Sequence, residues 1–138
     1  MIRTYSRKIH YYECDSMGIT HHSNYIRFME EARVDMMDQL GYGYERMEAE
    51  GVLSPVMAVS CQYKHPSRFQ ETLDIQVSVK SLTDLKVGFS YVMKVGDSLV
   101  CTAESAHCFL RGQRPVSLRK EFPLLYQSLQ EMLPPALG

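Results

Sequence analysis

Long apolar runs are missing from this chain. The longest are only a few residues, where a membrane-spanning helix needs about 20. Charge of one sign is missing too: 15 Lys and Arg against 16 Asp and Glu leave a formal net charge of −1. That balance gives no reason to expect nucleic acid or an anionic membrane as a partner. The first residues, MIRTYSRKIHYY, lack the apolar stretch and small-residue cleavage site of a signal peptide. Cys14, Cys61, Cys101 and Cys108 form no C-x-x-C pair, so they read as reduced thiols of a cytoplasmic protein rather than a disulfide framework. Three motifs are absent: the G-x-S-x-G of a serine-hydrolase elbow, the dinucleotide G-x-G-x-x-G and the Walker-type glycine loop. No internal repeat and no linker appears, so residues 1–138 read as one domain. With 45% hydrophobic and 22% charged residues, the chain has the composition of a globular protein that buries a core without staples.

What is present is a change of period along the chain. Residues 2–12 alternate, with Tyr5, Arg7, Ile9 and Tyr11 on one face, and predict a first strand that Ser16, Met17 and Gly18 break. Ser23 or Asn24 offers an N-cap oxygen. Tyr25, Phe28, Met29, Ala32, Met36 and Leu40 then recur at helical spacing. Arg27, Glu30, Glu31 and Asp38 take the other side, with Arg27 and Glu31 spaced as an i,i+4 pair. Gly41 ends this helix, which is roughly 25 Å long at ~1.5 Å per residue. A short helical piece follows at residues 44–50.

Strands are then expected at 56–63, 73–79, 87–95 and 99–111. A Lys64–Ser67 turn, a Gly96-Asp97 hairpin signal and a closing helix at 121–133 complete the chain. One strand, one long helix and four more strands imply an α+β architecture, an antiparallel sheet with a helix laid across it.

The chemistry concentrates in Tyr11–Arg33, YYECDSMGITHHSNYIRFMEEAR. Asp15 sits in a turn about seven residues before a helix start. Taken alone, D-S-x-G is a turn aspartate bonding nearby amides. Beside a helix N-terminus the same carboxylate could act on a carbonyl that backbone amides polarise. His10, Glu13, Asp15, His21 and His22 have metal-ligand chemistry but match no ligand spacing, and adjacent histidines do not easily point the same way. No electropositive setting for a thiolate is evident around the cysteines. Lys64, Arg68, Arg111, Arg114, Arg119 and Lys120 fall at strand ends, as solvated turn charge or as a seat for the phosphates of a nucleotide-bearing ligand.

Tyr12-x-x-Asp15-x-x-Gly18-Ile19-x-x-His22-x-x-Tyr25, continuing to Glu31-Ala32-Arg33, closely resembles the signature of hotdog-fold acyl-CoA thioesterases of the 4-hydroxybenzoyl-CoA thioesterase family. Leu40-Gly41, the Tyr63–Arg68 turn, Leu73-x-Ile75 and Arg114-Pro115 extend the resemblance over nearly the whole chain. It implies a hotdog fold, a five-stranded antiparallel sheet wrapped around one long central helix. It also implies a homodimer of joined sheets, assembling into a homotetramer, with active sites at subunit boundaries.

The activity implied is hydrolysis of an acyl-CoA thioester to free acid and coenzyme A, with no metal and no cofactor. Asp15 would be the catalytic carboxylate and the His22 backbone N–H the carbonyl-polarising donor. Gly18, Tyr25, Arg68 and Arg114 would contact substrate. Two alternatives remain: a hotdog acyl-thioester hydratase or dehydratase pairing Asp15 with a histidine side chain, and a non-catalytic acyl-CoA binding module.

Overall fold

The computed structural model describes residues 2–135. The elements are β1 (Tyr5–Lys8), α1 (Asn24–Gln39), α2 (Tyr44–Ala49), β2 (Val52–Leu53), β3 (Val56–Tyr63), β4 (Thr72–Leu82), β5 (Lys86–Val95), β6 (Ser98–Cys108), β7 (Leu110–Arg111), β8 (Arg114–Pro115), α3 (Leu118–Glu121) and α4 (Pro123–Glu131). A five-stranded antiparallel sheet runs in the order β1-β4-β5-β6-β3, and β2-β7-β8 form a small second sheet that sequence reasoning did not anticipate.

The alternation in β4 and β5 does what period 2 requires. Leu73, Ile75, Val77 and Val79 are buried on the inner face, beside Val87, Phe89, Tyr91 and Met93. On β6, Cys101, Ala103, Ser105 and His107 continue that face. Helix α1 buries Tyr25, Phe28, Met29, Ala32 and Met36 as its spacing predicts, together with Arg33 and Met37. It packs on β3 and β4. Its end is a Schellman motif: the Tyr42 N–H donates to Met37 O and the Gly41 N–H to Asp38 O, both at 3.0 Å, with Gly41 at φ +81°.

Three boundaries and one side-chain pairing differ from expectation, each for a local reason. The first strand stops at Lys8 because Glu13 folds back to accept the His10 N–H at 2.8 Å, curling Tyr11–Glu13 into a 3-10 turn. The last long strand breaks after Cys108, and its tail turns at Gly112 (φ +63°) to form β7 and β8. The closing helix divides at Phe122, where Pro123 starts a second segment at a position that suits proline. Glu31 does not pair with Arg27; it accepts Arg7 Nε at 2.8 Å and the Tyr5 hydroxyl at 2.9 Å.

β1 and β3 are the two edges of the main sheet. On β3, Val56, Met57, Ala58, Val59 and Ser60 are all exposed, a largely apolar edge with no strand beyond it among the described residues. Among the described residues no helix is long and apolar enough to cross a membrane.

Candidate active site

Asp15 sits at the base of a tight loop between the 3-10 turn and α1. Cys14 and Thr20 form an antiparallel bridge, the Asp15 N–H donates to Ile19 O at 2.9 Å, and the Gly18 N–H donates to Asp15 O at 3.0 Å. Gly18 has φ +78°, the left-handed region that closes this turn. Asp15 Oδ1 accepts the Met17 N–H at 2.8 Å, as a turn aspartate should. Oδ2 accepts from none of the described residues. The turn reading and the chemical reading therefore share the side chain, one oxygen each.

The side chain lies between two openings. One is a pocket of about 340 Å³ lined by Asp15, Ile19, Thr20, His22, Tyr25, Tyr63, Lys64, His65 and Pro66. The other is an open cleft of about 640 Å³ that includes Tyr12, His21, Asn24 and Arg27. His22, just before the start of α1, lines the first pocket together with Asp15. The His21 N–H donates to Glu13 O and the Ser23 N–H to His21 Nδ1, but the His22 N–H has no acceptor among the described residues. A free amide at a helix start carries the positive end of the helix dipole, which suits a carbonyl oxygen gaining negative charge.

The N-cap expectation changes in detail. Ser23 occupies the cap position with its hydroxyl on His21 Nδ1 at 2.8 Å, not on a helix amide. Asn24 sends its side-chain amide back to Glu13 O at 2.9 Å. The two histidine rings stack, with centroids 4.3 Å apart and planes 26° apart, instead of diverging. Glu13, a candidate metal ligand by residue type, is held by both terminal nitrogens of Arg7 at 2.7 and 2.8 Å.

Tyr25 and Tyr63 wall the pocket, ring centroids 5.3 Å apart. Tyr25 is buried and its hydroxyl meets Ser67 Oγ at 2.7 Å. The Tyr63 hydroxyl donates to His22 O at 3.3 Å; burial, with Cys61 alongside, pushes its pKa up to about 12, so it stays a donor. Cys101 is buried and its thiol is pushed up to about 12 by burial and by Cys61, so no thiolate is available there.

The basic residues divide. Lys64 lines the Asp15 pocket, and Arg68 is bridged to Ile19 beside it. Arg111 is paired with Glu121 and Arg119 with Asp84. Arg114 follows β7 at the Val56 end of β3, whereas Asp15 lies by Tyr63 at the other end. Seven steps of ~3.3 Å put roughly 23 Å between those ends. Within one chain, Arg114 is not brought to Asp15.

Two features escaped sequence reasoning. Ser67 is the buried polar partner of Tyr25 and is itself bonded to the buried Thr20, and Ser67 read only as the end of a turn. Arg7 and Glu13 belong to different local structures, and no spacing rule joins them. The nearest signal was Arg7 among apolar neighbours on one face of a strand.

A family model described as the Thioesterase-like superfamily matches residues 9–133. The chain is 26% identical to the acyl-CoA thioester hydrolase YbgC of Escherichia coli over 98 residues, 70% of this chain and 73% of that one. A crystal structure of a hypothetical protein from Aquifex aeolicus is similar with a TM-score of 0.85 and 31% identity, covering 89% of this chain and 98% of its own. The structure of a DHNA-CoA thioesterase from Staphylococcus aureus is similar with a TM-score of 0.88 and 25% identity, covering 93% and 88%.

Proposed function

The chain belongs to the thioesterase-like superfamily, and we propose that it hydrolyses an acyl-CoA thioester to the free acid and coenzyme A, with the Asp15 carboxylate working against the amide end of α1. The observation that carries this reading is one pocket holding both Asp15, with an unengaged oxygen, and His22, with an unengaged N–H. A thioester carbonyl seated between them would meet a base or nucleophile on one side and a donor at its oxygen. Whether the carboxylate attacks the carbonyl or takes a proton from attacking water, negative charge grows on the same oxygen. The same amide serves both routes. Collapse of the tetrahedral state releases the CoA thiolate; on the attack route water then cleaves the acyl–Asp15 anhydride to the free acid and restores the carboxylate.

Sequence relatives named as acyl-CoA thioester hydrolases support the substrate class. Lys64 and Arg68 are the phosphate seat that fits this pocket. The hotdog arrangement, a five-stranded sheet curved around α1, suits a homodimer joined through the exposed edge of β3, with dimers pairing into a tetramer. A two-fold pairing of those edges runs them antiparallel, which carries the Arg114 end of one chain toward the Asp15 end of the other. Four free cysteines accord with a cytoplasmic setting.

The test is thiol release from a panel of acyl-CoA substrates. Asp15→Ala and Asp15→Asn should each lose about 10²–10⁴-fold in kcat, since an amide neither attacks nor accepts a proton usefully. His22→Ala should lose far less, because the backbone N–H survives. Near-normal turnover in both Asp15 variants would sink the assignment. Loss in His22→Ala equal to that of Asp15→Ala would favour a side-chain histidine and hydratase-like chemistry.

A further inference from the structure

The loop that presents Asp15 and the helix that presents the His22 N–H are tied at one atom, the carbonyl oxygen of Glu13. It accepts the His21 N–H at 2.8 Å and the Asn24 side-chain amide at 2.9 Å. Two donors on one carbonyl fix the residue before His22 and the first residue of α1 against the same point. The His22 N–H lies between them in the chain, and it has no acceptor among the described residues.

Glu13 is in turn immobilised from its other end. Its carboxylate takes both terminal nitrogens of Arg7, at 2.7 and 2.8 Å, and the His10 N–H at 2.8 Å. Arg7 also gives its Nε to Glu31 at 2.8 Å and lies 4.1 Å from the centre of the Phe28 ring. Arg7 thus joins β1, the 3-10 turn and two turns of α1. The Glu13 side chain is buried, so a bidentate grip is the arrangement that makes burying it tolerable.

We infer that Arg7, Glu13 and Asn24 are positioning residues for thioester hydrolysis: they set the distance between the Asp15 carboxylate and the His22 amide without touching substrate. This rests on the reading of Asp15 and His22 given above. The two groups come from opposite sides of a loop, and no direct bond joins them. The Glu13 carbonyl ties their two segments together, beside the Cys14–Thr20 bridge and the bond from the Asp15 N–H to Ile19 O that shape the loop. Because misplacement by about 1 Å costs on the order of 10²-fold in rate, a fixed carbonyl here has kinetic weight.

The experiment measures kcat, KM and thermal midpoint for Asn24→Ala, Asn24→Asp and Arg7→Lys, each also in the Asp15→Asn background. Asn24→Ala should lower kcat about 10- to 100-fold with KM changed less than about threefold. Asn24→Asp, which sets an oxygen against the Glu13 carbonyl, should be no better than alanine. Arg7→Lys, which cannot keep the two-nitrogen grip, should fall between alanine and wild type.

In the Asp15→Asn background the Asn24→Ala loss should shrink to about twofold or less, because groups that act as a unit are not additive. Full additivity there, kcat within about twofold of wild type in Asn24→Ala, or a kcat loss matched by a collapse of the thermal midpoint, would overturn the positioning role. If Asp15→Asn alone turns over normally, it is the Asp15 reading that fails, and the Asn24 series then reports only on stability.

Discussion

The Tyr25 hydroxyl lies 2.7 Å from Ser67 Oγ, which lies 2.7 Å from Thr20 Oγ1. All three residues are buried. The tyrosine expected to contact substrate therefore gives its polar atom to the protein and only its ring to the pocket. Tyr25→Phe should lower stability by about 1 kcal/mol, one net hydrogen bond, and leave kcat within about threefold of wild type. Tyr25→Ala removes the wall itself and should cost about 3–5 kcal/mol with a large loss of activity. Thermal melts beside thiol-release assays separate the two; a deep kcat loss in Tyr25→Phe would place the hydroxyl in the chemistry.

Gly18 was expected to contact substrate, and its visible role is conformational. Its φ is +78°, and a Cβ built there meets no heavy atom within 4 Å. The cost of a side chain is then backbone strain alone, about 1–2 kcal/mol for alanine and less for asparagine, which tolerates this region. Because the Gly18 N–H holds Asp15 O, the strain should also relax the loop. Gly18→Ala is expected to lower kcat more than Gly18→Asn, in the same order as their thermal midpoints. Equal activity in both would detach this turn from catalysis.

How much of this was legible depended on whether the cause was local. The α1 stripe, the alternation in β4 and β5 and the Gly41 stop are short-range patterns, and the core followed from them. Glu13 has ligand chemistry by residue type, and its actual partner, Arg7, reaches it only after the chain has curled through a 3-10 turn. Arg33 sits on the buried side of α1, bonded to the hydroxyls of Tyr44 and Tyr91 at 3.0 and 3.1 Å. Its partners lie 11 and 58 residues away, beyond any periodicity rule. The Asp15 loop was legible as a turn from Asp15 and Gly18. That it leaves one carboxylate oxygen free was not, because that depends on which backbone amides the folded loop turns toward the side chain.

Acid should weaken the fold through His107. The ring is buried, its Nε2 lies 2.8 Å from Ser105 Oγ, and its Nδ1 has no partner among the described residues. Burial first, and the Arg33 charge second, lower its pKa from 6.5 to about 4. Between those values the unfolded chain binds a proton that the folded chain refuses, so stability falls as pH falls. From pH 7 to pH 5 the loss should be about 2 kcal/mol. Glu13 adds to the loss only lower down: burial alone would raise its carboxyl, but the bonds from Arg7 and His10 hold it below the ordinary range. Urea midpoints at pH 7 and pH 5 should therefore converge in His107→Gln and stay apart in wild type. Parallel shifts in both proteins would remove His107 as the cause.

The β3 edge supplies the last test. An eight-residue strand with Val56, Met57 and Val59 exposed presents unpaired backbone groups and apolar side chains together, a template for another strand. Tyr63 and Lys64, at its far end, line the pocket that Asp15 occupies. If two copies join here, the seam also closes the active site, and assembly and turnover must fail together. Val59→Lys or Met57→Asp places a charge on the seam with no buried partner in the single chain to disturb, so the monomer should keep its thermal midpoint to within a few degrees. Analytical ultracentrifugation should show a smaller particle, and kcat should fall with the fraction assembled. An assembly unchanged by both substitutions would mean that β3 is not the seam; a fully active monomer would mean that the pocket is complete in one chain.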